Sequence, residues 1–133
     1  MYAKITLQRT QIADFQNILT LMFHLNFNFI NYMEFWSIGN VLQRIAKVNY
    51  QNNFSNRKTY TLKLAPNEIE SFILLVAQSE NLLAQTPYYN SMLLEITNQL
   101  HKQVLELEHK KTIFANKQNL TIPKLIHDEQ SRN

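Results

Sequence analysis

Glu106 and His109 stand at the Glu-x-x-His spacing that lets two metal-ligating side chains project from one helix face, as in di-iron carboxylate bundles. Such a centre needs a second Glu-x-x-His and two further glutamates, and no other Glu-x-x-His occurs in the chain. The pair therefore reads as a solvated helix end, and no metal is expected. His24, inside an apolar run, reads as a hydrogen-bonded core or boundary residue, and His101 beside Lys102 as an outer-face residue. Nucleophilic hydrolysis would need a Ser or Thr held against a His, with a glycine-rich turn to aim backbone N–H groups at an oxyanion. Gly39 is the only glycine. The same shortage removes phosphate-cradling loops and dinucleotide fingerprints, which need close backbone approach. The paired carboxylates Glu68/Glu70 and Glu106/Glu108 fit helix-dipole and solvation roles. These observations point away from an enzyme and from any cofactor.

The elements that would position functional groups are those of one small domain. At 133 residues the chain can enclose one core. One glycine and three prolines leave too few turn residues for an all-β sandwich or barrel, so a mainly α fold with short strands is expected. The absence of cysteine excludes disulfides and thiolate chemistry and suits a reducing, cytoplasmic setting. The N-terminus lacks the pattern of a secretory signal. The most apolar window, 18–36, carries His24, Asn26, Asn28, Asn31 and Glu34, which suits a core rather than a membrane span. Charge is uneven: residues 1–65 hold Lys4, Arg9, Arg44, Lys47, Arg57, Lys58 and Lys63 against Asp14 and Glu34, whereas 66–109 hold Lys102 against six glutamates. The asymmetry fits an acidic partner for the first half, the two halves facing one another within or between chains, or ordinary solvated faces that differ in charge.

Residues 3–22 and 60–79 align at an offset of 57, with Ile5 on Leu62, Leu7 on Leu64, Ile12 on Ile69 and Phe15 on Phe72. With one residue inserted, Phe35, Ile38, Leu42 and Ala46 fall on Leu93, Ile96, Leu100 and Val104. This predicts a tandem β-α-α pseudo-repeat, 2–50 and 58–111, forming a single domain over 1–111 with a helical core. Each copy opens with alternation that sends Ile5 and Leu7, or Leu62 and Leu64, to one face. Helix starts are predicted at Thr10 and at Asn67, the latter with Glu70 completing a capping box. Helical stripes follow at Ile12, Phe15, Leu19 and Met22, and at Ile69, Phe72, Val76 and Leu83. Further helices are predicted from near Asn31, with a stripe of Tyr32, Phe35, Ile38, Leu42 and Ile45, and from Thr86-Pro87 to about Lys111. The segment Phe23–Phe29 reads as helix end and loop, and Gln51–Asn56 as the connector. The basic tail 112–133 reads as partly extended, at Leu120–Ile126, or disordered. Two isolated strands make a marginal hairpin, so they must pair over the helices or with strands of a second chain.

Aromatics crowd one segment: Phe23, Phe27, Phe29, Tyr32, Phe35 and Trp36. Core filling is the first expectation for rings at helical spacing. The candidate interface set is Phe27, Phe29, Tyr32 and Trp36, together with Tyr88 and Tyr89 just after a helix start. A homodimer or another protein partner is the expected occupant, with no membrane.

The β-α-α order resembles the ribbon-helix-helix DNA-binding fold, in which paired strands enter the major groove. That resemblance implies a single-chain equivalent of the dimer, with Lys4, Thr6, Gln8, Thr59, Thr61 and Lys63 facing the groove and nucleic acid as an alternative partner. Departures from it are the long first helices, the lack of a glycine-containing turn before the second helix, and an acidic second copy. Separately, Tyr60-Thr61-Leu62-Lys63-Leu64, Pro87-Tyr88-Tyr89 and Gln99-Leu100-His101-Lys102-Gln103-Val104 resemble small uncharacterised proteins of Bacteroidetes and their mobile elements. This second resemblance covers about the second half of the chain and implies an accessory protein of a mobile element or phage, with no activity attached. The leading expectation is a non-enzymatic interaction or oligomerisation protein.

Overall fold

A computed structural model describes residues 2–121. The chain divides into two compact units, Met1–His101 and Lys102–Asn133. In the first unit, strand β1 (Ala3–Gln8) leads through one 3-10 turn (Arg9–Gln11) into helix α1 (Ile12–Leu25), followed by helix α2 (Tyr32–Asn52). Strand β2 (Thr59–Leu64) leads into helix α3 (Pro66–Gln78), the short helix α4 (Glu80–Ala84) and helix α5 (Pro87–Thr121), whose residues from Lys102 onward belong to the second unit. The fold is mainly helical with one small sheet, as composition and alternation predict.

The strands pair with each other inside the chain, antiparallel, with Ile5 opposite Leu62. Lys4 faces Lys63, Thr6 faces Thr61 and Gln8 faces Thr59. Strict alternation buries Ala3, Ile5, Leu7, Tyr60, Leu62 and Leu64 on one face and leaves the intervening polar residues open. Ile12, Phe15, Leu19 and Met22 of α1 and Ile69, Phe72 and Leu75 of α3 are buried as well. Phe15 and Phe72, which the sequence alignment matches with each other, meet edge to face with ring centroids 6.0 Å apart. From α5, Leu93, Ile96 and Leu100 are buried as their spacing predicts.

Local chemistry explains where the helices differ from expectation. Helix α3 begins at Pro66 rather than Asn67, because Glu68 curls back to accept the Ala65 N–H at 2.8 Å. Asn67 instead donates across to the Ser37 hydroxyl at 3.0 Å. At the first start Gln11 plays the equivalent part, accepting the Gln8 N–H at 3.0 Å, so Thr10 lies within the 3-10 turn. The run from Pro66 to Ala84 is interrupted at Ser79, whose hydroxyl donates to the Leu75 carbonyl and accepts from Asn26, an arrangement that bends helices. Helix α2 caps at Asn31 as predicted, its side chain accepting the Glu34 N–H at 2.9 Å. Its buried stripe, however, is Glu34, Ser37, Ile38, Val41 and Ile45, rotated from the expected one so that Tyr32 is exposed. Helix α5 starts at Pro87 as predicted, although the Thr86 hydroxyl donates back to the Leu82 carbonyl instead of capping forward.

Taken by itself, the second unit contains the rest of α5, which continues through residues 112–121 instead of stopping near Lys111. Helix therefore replaces the start of the expected extended tail, and the remainder of 112–133 lies outside the described residues.

Candidate functional site

Two surfaces of the first unit gather the residues singled out in the sequence. The first is the outer face of the sheet. All six nucleic-acid candidates, Lys4, Thr6, Gln8, Thr59, Thr61 and Lys63, are exposed there as three cross-strand pairs. At the end where β1 leaves and β2 begins, Gln8, Arg9, Thr10, Asn56, Arg57, Lys58 and Thr59 line an open cleft of about 360 Å³. Arg9 is held within it: its backbone N–H donates to the Lys58 carbonyl and its guanidinium to the Asn52 carbonyl. The outer edge of β1 is covered from α5, since Gln99 accepts the Thr6 N–H at 3.0 Å and donates to the Thr6 carbonyl at 3.4 Å. Such a cap satisfies backbone groups that would otherwise template strand addition. It also sets a helix beside the ribbon, where a groove wall would have to pass.

The second surface is the turn between α1 and α2. Asn26 closes α1 from inside: its buried amide donates to the Met22 carbonyl at 2.9 Å and to the Ser79 hydroxyl at 3.0 Å. With the turn anchored there, Phe27, Phe29, Tyr32 and Trp36 point outward, between 51% and 78% exposed. Phe27, Tyr32 and Trp36 are braced by other rings. Phe35 contacts Phe23, Phe27 and Trp36 at centroid distances of 5.5 to 5.8 Å, and Trp36 contacts Tyr32 at 5.9 Å. Phe27, Ile30, Asn31, Tyr32 and Phe35 enclose a cleft of about 290 Å³ between them. Core filling is thus the wrong expectation for most of this cluster: Phe23 and Phe35 are half-buried and the other four face solvent.

Tyr88 and Tyr89 do not join that surface. Their rings pack together at 5.4 Å, and the Tyr88 hydroxyl donates to Asp14 Oδ2 at 2.6 Å. Asp14 and Leu25 are eleven residues apart on α1, so roughly 16 Å of helix separates this contact from the aromatic turn. The hydrogen bond to Asp14 raises the Tyr88 pKa above its ordinary value, with desolvation and the Asp14 charge adding to the effect.

Sequence reasoning missed two polar features between α2 and α3. Arg44 grips Glu68 with both terminal nitrogens, at 2.7 and 2.8 Å, and also donates to the Lys63 carbonyl. Beside the α2 start, Asn31, Met33, Glu34, Ser37, Asn67, Glu70, Ser71 and Leu74 line a cleft of about 190 Å³. Glu34 is only 7% exposed and its Oε2 has no hydrogen-bond partner. The Asn-x-x-Glu spacing at 31–34 was the available signal, because it fixes Glu34 in the first turn. His24, expected at the core or its boundary, is exposed. Among the described residues, no three His, Asp or Glu side chains gather as a metal site. None of the described helices is long and apolar enough to cross a membrane.

No protein-family model matches the chain, and neither a curated protein nor a solved structure is significantly similar to it.

Proposed function

We propose that this protein is a non-enzymatic interaction module whose working surface is the aromatic turn formed by Phe27, Phe29, Tyr32 and Trp36. One observation carries the reading: four large rings stand open to solvent at one turn, with Phe27 and Trp36 braced from behind by Phe23 and Phe35. At roughly 200 Å² for each large aromatic side chain, their open fractions amount to about 500 Å² of apolar surface. That lies near the upper end of what monomeric proteins leave exposed, and contiguous apolar surface of this size marks binding sites. Pre-braced rings lose little freedom on binding, so more of the burial free energy remains for affinity.

The test is photo-crosslinking in cells, with benzoylphenylalanine in place of Phe29 and, as control, in place of Asn17 on the exposed face of α1. Protein adducts from position 29 and none from position 17 support the reading. Equal adducts, or none, overturn it.

A second reading is favoured by the strand register, in which Lys4/Lys63 and Thr6/Thr61 exchange places about the Ile5–Leu62 pair when the 57-residue offset is applied. We infer from this, and from the Phe15–Phe72 contact, that the two β-α-α units are related by an approximate two-fold axis through the sheet. A polar ribbon of that symmetry suits nucleic acid, with Lys4, Lys63, Arg9, Arg57 and Lys58 meeting phosphates. A mobility-shift titration decides it: binding that weakens steeply with salt, and is lost on Lys4→Glu with Lys63→Glu, supports this reading. No shift at low salt ends it.

A further inference from the structure

The aromatic turn is defined as much by what it lacks as by its rings. From Leu25 to Trp36 the only Asp, Glu, His, Lys or Arg is Glu34, and it is buried; the exposed charge-bearing groups stand at the rim, His24 with its ring against Phe23 and Glu70 in the cleft it lines with Asn31 and Met33. No exposed cation stands in this stretch to attract an anionic lipid surface or an acidic peptide, and no exposed anion to attract a basic one. An uncharged patch is, by contrast, well suited to meet itself, because a two-fold contact sets each residue near its own copy and would multiply any like charge. The exposed polar residues of the turn, Asn28 and Asn31, are amides, each both donor and acceptor, so they also match their own kind. The size agrees. About 500 Å² of ring surface is a fitting apolar centre for an interface that buries roughly 800 Å² per partner once a polar rim is added.

We infer that the occupant of the aromatic turn is a second copy of this chain, forming a two-fold dimer through Phe27, Phe29, Tyr32 and Trp36. This rests on the reading of the turn as a binding surface and goes beyond it by naming the partner. It also gives the dimer an axis separate from the sheet, so the outer face of the ribbon stays open in each copy.

Sedimentation velocity of the purified full-length chain tests the inference, from low to high micromolar concentration. The wild type should move toward twice the 15.8 kDa chain mass as concentration rises. Phe29→Asp sets two carboxylates against each other across the axis and should hold the protein monomeric, with a circular-dichroism melt equal to that of the wild type at concentrations where the wild type is also monomeric, because the ring is 78% exposed in the single chain. Tyr32→Asp serves as a second variant should Phe29→Asp melt early, and the same monomer is expected. A wild type that stays monomeric throughout overturns the dimer, as does a dimer indifferent to both variants. If the protein is monomeric yet position 29 still crosslinks to other proteins in cells, the dimer fails and the binding surface stands. If it is monomeric and nothing crosslinks, both fail.

Discussion

Replacing Phe15 and Phe72 by leucine, singly and together, probes whether the two helices that follow the strands face each other across the sheet. Both rings are fully buried, and they meet edge to face at 6.0 Å and 79°. Each Phe→Leu change removes three carbons, which at about 0.8 kcal/mol per buried CH₂ costs about 2–2.5 kcal/mol. An aromatic pair in this geometry contributes about 0.5–1.5 kcal/mol beyond its burial. That part is lost in either single variant and counted twice when the two are added. The double variant should therefore be less destabilised than the sum of the singles by about that amount. Urea denaturation followed by circular dichroism at 222 nm supplies the four stabilities. Leucine is preferred to alanine because two cavities of about 3–5 kcal/mol each would unfold a domain of ordinary stability. Strict additivity would mean that the rings do not touch, and an axis through the sheet would lack its strongest contact.

Three further outcomes follow from particular side chains. Gly39 lies inside α2 with nothing within 4 Å of the place where a Cβ would stand, so Gly39→Ala should raise stability by about 0.5–1 kcal/mol in the same denaturation assay. The Tyr60 hydroxyl is buried without a partner, so Tyr60→Phe should be neutral or stabilising by up to about 1 kcal/mol, and a loss of stability would reveal a bond at that hydroxyl. Tyr88 keeps its proton to higher pH in the folded protein than in the unfolded chain, chiefly through its bond to Asp14. Its contribution should be intact below the unfolded phenol value of about 10 and lost as pH rises through the folded value. Tyr88→Phe should remove that step from a plot of stability against pH and remove one late-titrating phenol from the ultraviolet titration.

The parts of the fold that could be read from the sequence are those in which one local rule acts alone. Six residues of alternation were enough to define each strand and its buried face, since a slip by one residue would turn Ile5 and Leu7 to solvent. Asn31 and Pro87 announced their helices because a capping amide and a proline at the first helical position have few other uses. Where two local rules compete, reading failed. Asn67 looks like a cap, but Pro66 and Glu68 form the first turn one step earlier and free Asn67 to reach Ser37. Ser79 looks like an ordinary helical residue, and only its long-range bond from Asn26 reveals the break. The ribbon face was legible as six residues because both strands carry the signal themselves. The aromatic turn was legible only as composition, because the same rings at the same spacing could have filled a core. What turned Tyr32 and Trp36 outward is the phase of α2, set by buried Glu34, Ser37 and Val41, which no count of apolar residues would choose over Tyr32 and Leu42.

Trp36 is the chain's one tryptophan and stands within the proposed surface, which makes its fluorescence a direct report on whether that surface is covered. Acrylamide quenching of the full-length protein, measured from dilute to concentrated solution beside Phe29→Asp, is the decisive comparison. Quenching should be strong when dilute and fall with concentration as the emission moves to shorter wavelength, while Phe29→Asp remains quenchable throughout. A tryptophan equally quenchable at every concentration in both proteins would contradict the dimer.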